Sequence, residues 1–114
     1  MNPLTVNFDN FNDTVSEYET IVVDMWASWC LPCRRFAPIF AQTAQSTPDV
    51  TFASFQVDAS EENEAMFAAL GYTTVPTLMA FRNGTLVVAT SGALGKADLA
   101  TVLKQVREDA PAAA

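Results

Sequence analysis

A chain of 114 residues, 50% hydrophobic and 17% charged, has the composition and size of one ordinary globular domain, and such a domain buries about two-thirds of the surface its unfolded chain exposes, enough to stand without a metal or disulfide staple. The net charge of −7, with cations only at Arg34, Arg35, Arg82, Lys96, Lys104 and Arg107, repels polyphosphates and anionic lipid surfaces and argues against nucleic acid or a membrane as a partner. There is no histidine, so the commonest general base and the commonest zinc ligand are both missing, while two cysteines remain available for chemistry.

A short strand is expected around Thr5 and Val6, then a first helix through Phe8, Phe11 and Val15 with Asn7 as its N-cap. Ile21 to Ala27 is an almost unbroken apolar run rich in β-branched residues, the pattern of a strand buried on both faces of a parallel sheet. Phe36, Ile39, Phe40 and Thr43 recur at helical spacing, which predicts a second helix after the cysteines, kinked at Pro38. Val50 to Val57 reads as another core strand, and Glu61 to Leu70 as a helix with acids in its first turn and Gly71 as its stop.

Thr77 to Arg82 and Thr85 to Thr90 are strand-like runs joined by Asn83-Gly84, a strong hairpin signal because both residues tolerate positive φ. Leu99, Val102, Leu103 and Val106 mark one face of a closing helix from about Lys96. The order βαβαβαββα implies an α/β fold with a central mixed sheet flanked by helices on both faces. No internal repeat appears; residues 1–108 form the expected domain, and 109–114, Asp-Ala-Pro-Ala-Ala-Ala, a frayed tail. The first ten residues lack the basic start and apolar stretch of a secretory signal, and no run approaches a membrane span, so a reducing cytoplasm is the expected setting.

Reducing compartments keep thiols free, which makes a closely spaced cysteine pair catalytic or metal-binding more often than structural. Trp26-Ala27-Ser28-Trp29-Cys30-Leu31-Pro32-Cys33 sets a C-x-x-C at a strand-to-helix junction inside a βαβ pattern, which reads as a redox motif. The free backbone N–H groups and positive dipole end of a helix N-terminus favour an anion, so Cys30 is the candidate thiolate. Pro32 falls in the first turn, where a missing N–H costs little. Two other readings stand beside this one. Half of a zinc site would need carboxylates or a second subunit to complete it. A structural disulfide would close a loop too short to constrain the unfolded chain much.

The run Val23-Asp24-Met25-Trp26-Ala27-Ser28-Trp29-Cys30-Leu31-Pro32-Cys33-Arg34, followed by Phe36-Ala37-Pro38, Val57-Asp58, Val75-Pro76-Thr77, Phe81-Arg82-Asn83-Gly84 and Gly92-Ala93-Leu94, resembles the thioredoxin family. The likeness extends from about Asn7 to Val106, with separate motifs in the right order. It implies the thioredoxin fold and a protein-disulfide reductase in which Cys30 attacks and Cys33 resolves the mixed disulfide. It also implies a cis bond before Pro76, facing the cysteines, and a substrate-pairing backbone at Val75. Trp29, Leu31, Pro32, Val75, Pro76, Gly92 and Ala93 form the expected substrate-binding rim. No metal and no bound cofactor are expected; NADPH enters only through a thioredoxin reductase, and the other partners are disulfide-bearing proteins. A monomer is expected.

Several positions depart from the family pattern or draw notice. The usual Gly-Pro dipeptide is Leu31-Pro32, which restricts the loop and alters the surface beside the nucleophile. Asp24 is a carboxylate inside an apolar strand, expensive unless paired, protonated or functional; by resemblance it moves the proton of Cys33, yet the family's nearby lysine aligns with Ser54. Arg34 and Arg35 are read as solvated, or else as supports of the thiolate or selectors of acidic substrates. Trp26 is a core candidate. The rival functions are a binding or chaperone-like module of the same fold and a dedicated disulfide oxidase or isomerase, which the reduction potential would separate.

Overall fold

A central strand, buried from Ile21 to Met25, organises the protein in the computed structural model, which describes residues 2–108. The elements are β1 (Leu4–Val6), α1 (Phe11–Glu17), β2 (Thr20–Trp26), α2 (Leu31–Gln45), β3 (Thr51–Gln56), α3 (Glu61–Ala69), β4 (Thr77–Arg82), β5 (Thr85–Ser91) and α4 (Lys96–Glu108), with a 3₁₀ turn at Val57–Ala59. This is the expected βαβαβαββα order; the expected tail at 109–114 lies outside the described residues. No helix among the described residues is long and apolar enough to cross a membrane.

The strands form one sheet in the order β1-β3-β2-β4-β5, with β1, β3 and β2 parallel and β4 and β5 antiparallel to their neighbours. Strand β2 is hydrogen-bonded on both sides and covered on both faces, which is why Ile21, Val22, Val23 and Met25 are all apolar and buried. Alternation along β2 sends its side chains to opposite layers. Val22 joins Phe36 and Phe40 of α2 and Val102, Leu103 and Val106 of α4. Ile21, Val23 and Met25 join Phe11, Val15 and Phe67 from α1 and α3. Phe11 anchors that second layer, meeting Phe55 and Phe81 edge-on at centroid distances of 5.9 and 5.8 Å.

The β4–β5 hairpin turns at Asn83 (φ 51°) and Gly84 (φ 81°), the left-handed pair its sequence requires. Farther along, Ala80 faces Val88 while Phe81 faces Leu86, so Val87 is an extra, unpaired residue that bulges β5.

The start of the first helix differs from expectation. Asn7 is not its cap: the Asn7 N–H donates to Asn10 Oδ1 (2.8 Å) and the Asn10 N–H to Asn7 Oδ1 (3.1 Å), closing a turn that leaves Phe8 exposed. The helix begins after Asn10, whose carbonyl accepts from Thr14 N–H at 2.9 Å. Asparagine side chains compete with the backbone for such bonds, and two of them three residues apart made the turn the better solution. Val57 likewise leaves the strand for the 3₁₀ turn. Helix α3 gains a cap at Ser60, whose hydroxyl accepts from Asn63 N–H at 3.0 Å. Helix α2 continues through Pro38, which is exposed.

Candidate active site

Strand β2 delivers its chain to the end of the sheet, where Cys30 N–H donates to Ala27 O (3.2 Å) and Cys30 becomes the N-cap of α2 in an extended conformation. The Cys33 N–H points back at Cys30 Sγ, 3.2 Å away. Cys30 and Cys33 are joined as a disulfide with Cα atoms 5.3 Å apart. Both are nearly enclosed, Cys30 4% exposed and Cys33 1%, so the outer sulfur is the one a partner reaches first. Cys30 Sγ lies 3.7 Å from the Val75 carbonyl oxygen; without a thiol proton in the disulfide this is a contact, and it marks a backbone acceptor beside the sulfur. The Val75–Pro76 bond is cis, as the resemblance implied, and Pro76 O accepts from Gly92 N–H at 3.1 Å.

The cysteines pack with Ala27, Trp26 and Val75. Trp26 is half-buried in this cluster. Around it the rim divides into two kinds of surface. Trp29 is 72% and Leu31 54% exposed, with Pro32 and Ala93 also at the surface, whereas Pro76 is buried and Val75 and Gly92 are half-buried. The apolar side chains of Trp29 and Leu31 beside a sulfur are thus the outward features, and the Val75–Pro76 backbone is the inward one.

Asp24 is only 3% exposed and lies on the same face of β2 as Val22, the face covered by α2 with Cys33, Phe36 and Phe40 on its buried stripe. Its sheet neighbours are Ser54 on one side and Leu78 on the other. Among the described residues, Asp24 Oδ1 has no hydrogen-bond partner, and neither ion pair (Arg82–Glu19, Arg107–Asp49) includes Asp24. Burial without compensation disfavours the carboxylate and pushes its pKa up to about 7.

A second carboxylate received no role from the sequence. Asp58, in the 3₁₀ turn, accepts from Ser28 N–H through Oδ1 (3.0 Å), from the Ser28 hydroxyl through Oδ2, and from Gln56 Nε2 at 3.1 Å. These bonds hold its carboxyl below the usual range, the Ser28 hydroxyl contributing most. Arg34 Nη2 donates to Ser28 O at 2.9 Å, so its guanidinium braces the loop; Arg34 and Arg35 are both exposed. The pairing had one legible signal. Trp26 registers with Gln56 across parallel strands, so two residues onward Ser28 meets Asp58, but the register is a tertiary fact.

A sequence model described as Thioredoxin matches residues 2–105. The chain belongs to the thioredoxin family. Thioredoxin C-3 of Corynebacterium nephridii is 36% identical over 106 residues, covering 92% of this chain and 71% of that protein. A thioredoxin of Acidithiobacillus ferridurans is 35% identical over 102 residues, covering 88% of this chain and 92% of its own. Among solved structures, a mutant thioredoxin of Halobacterium salinarum is 31% identical with a TM-score of 0.82, covering 96% of this chain and 95% of that one. Thioredoxin f of spinach chloroplast, in its short form, reaches a TM-score of 0.84 at 28% identity over 94% and 95% of the two chains. As in other thioredoxins, the group that does the chemistry is the cysteine pair, and the activity is dithiol–disulfide exchange through Cys30 and Cys33.

Proposed function

We propose that this thioredoxin runs in the reducing direction on protein disulfides, with Cys30 as nucleophile, Cys33 as resolving thiol and Asp24 as the acceptor of the Cys33 proton. The observation that carries the assignment is the Cys33 N–H at 3.2 Å from Cys30 Sγ, at the N-terminus of a 15-residue helix. An amide donor and the positive end of the helix dipole favour a thiolate on Cys30 rather than on Cys33.

The Cys30 thiolate attacks one sulfur of a substrate disulfide, breaking it, forming the Cys30–substrate bond and releasing the other substrate sulfur as a thiolate. Cys33 then gives its proton to Asp24 and attacks Cys30 Sγ, forming the Cys30–Cys33 disulfide and releasing the second substrate thiolate. Two electrons pass from the dithiol to the substrate. A carboxylate with a pKa of about 7 suits this step, since a base works best when its pKa lies near the working pH. Trp29, Leu31, Pro32, Gly92 and Ala93 provide the apolar face for the incoming chain, with the Val75–Pro76 backbone as its pairing edge.

Disulfide-bearing proteins and a reductase are the partners that family membership supports. An NADPH-linked thioredoxin reductase as the source of electrons, a monomeric state, a domain comprising residues 1–108 and a cytoplasmic setting complete the proposal. The C-x-x-C without histidine favours a reductant over an oxidase or isomerase.

Reacting each single variant with a disulfide substrate tests the roles. Cys33→Ser is expected to accumulate a covalent mixed disulfide through Cys30, and Cys30→Ser to accumulate none. Trapping confined to Cys30→Ser would reverse the assignment.

A further inference from the structure

All three polar groups of Ser28 are engaged. Its N–H and hydroxyl go to the two oxygens of Asp58, and its carbonyl accepts from Arg34 at 2.9 Å. The carboxylate that grips it stands on a braced support. Asn63, buried in the first turn of α3, donates from Nδ2 to Gln56 O (2.9 Å) and accepts Phe8 N–H at Oδ1 (2.8 Å). Gln56 in turn donates to Asp58 Oδ1 at 3.1 Å. The ends of β1 and β3 are thus tied to the segment that leaves β2 just before the nucleophile.

On its N-terminal side Cys30 has one backbone bond of its own, the 3.2 Å contact from its N–H to Ala27 O. The neighbouring Trp29 is largely in solvent and offers no anchor. Yet the Cys30 sulfur must stay within reach of the Cys33 N–H for the helix terminus to favour its thiolate.

We infer that Asp58, gripping Ser28, is a positioning residue that holds the Ala27–Trp29 segment so that the Cys30 sulfur stays against the N-terminal amide of α2. The inference rests on Cys30 being the attacking sulfur. Its sign separates it from a simple charge effect. A bare negative charge near a thiolate raises the thiol pKa, so removing that charge would lower it. Loss of positioning weakens the amide contact and raises the pKa instead.

The test is the rate of iodoacetamide alkylation of the reduced protein as a function of pH, for wild type, Ser28→Ala, Ser28→Thr, Asp58→Asn and the Ser28→Ala/Asp58→Asn double variant. Each single removal takes away or weakens a bond to a charged acceptor and is expected to slow alkylation at neutral pH about three- to tenfold by raising the thiol pKa. The double variant should be no slower than the slower single, and Ser28→Thr should restore the wild-type profile. An unchanged pKa in Ser28→Ala, a lowered pKa in Asp58→Asn, or effects that multiply in the double variant would overturn the inference. Mass spectrometry of the alkylated sulfur addresses the other reading separately: modification at Cys33 first would refute the nucleophile assignment, whatever the differences between variants.

Discussion

Replacing Asp24 by asparagine in the oxidised protein should make stability respond to pH in a way that a simple packing change does not. The buried carboxyl has a pKa of about 7, against 3.8 in the unfolded chain. Between those values the native state holds a proton that the unfolded state has already released. The stabilising contribution is therefore complete below about pH 4 and is lost as pH rises to about 7 and beyond. At 1.36 kcal/mol per unit, the gap amounts to about 4 kcal/mol of stability lost between mild acid and mild base. Asparagine cannot ionise and avoids that loss, but its amide enters a site where Oδ1 already has no partner, at a cost of about 1–3 kcal/mol. The net expectation is a variant more stable than wild type by about 1–3 kcal/mol at about pH 8, and equal or less stable at about pH 4. Urea melts across that range read the difference directly, and its slope with pH is independent of the amide's own cost. A difference constant across the range would show that Asp24 titrates normally and would refute the reasoning. The same variant should resolve mixed disulfides more slowly in single-turnover reduction, since it lacks the proton acceptor.

Leu31→Gly should leave the fold intact, because the side chain is over half exposed, and should make the potential more negative by about 20 mV: glycine weakens the first turn of α2 by about 1 kcal/mol, mostly in the reduced form where no disulfide restrains it. Equilibration with glutathione measures this, and an equal or higher potential counts against it. Ser60→Ala removes the acceptor for Asn63 N–H and should lower the urea-melt stability by about 1 kcal/mol; no loss would mean that the cap contributes nothing. Phe36→Ala empties a fully buried position against Phe40 and should cost about 3–5 kcal/mol in the same melts, with a loss below about 1 kcal/mol showing that the site collapses.

What could be read from the sequence was what local chemistry decides. The apolar run from Ile21, the C-x-x-C at a strand-to-helix junction and the Asn83-Gly84 hairpin each carry their signal within a few residues. Asp24 was legible as buried because its sequence neighbours are apolar, and Ser54 opposite it was legible through the resemblance to the family. The start of α1 was not, since Asn7 and Asn10 are equally good caps and only the bond each makes to the other decides between them. The Ser28–Asp58 grip joins residues 30 positions apart and follows from the parallel register of β2 and β3, which no local pattern encodes.

The bulge at Val87 bears on how the molecule lives among copies of itself. Strand β5 closes one side of the sheet, and from Thr85 to Ser91 it has no charged residue and no proline to discourage another chain from adding to that side. The extra residue supplies the deterrent by shape. It breaks the even spacing of outward N–H and C=O groups and twists the strand, while Val87 and Val88 stay packed toward the core. A neighbouring strand would find matching partners over only a few residues before falling out of step. Resistance to strand addition at this border therefore falls to irregular backbone geometry, in a protein whose many acids lie elsewhere.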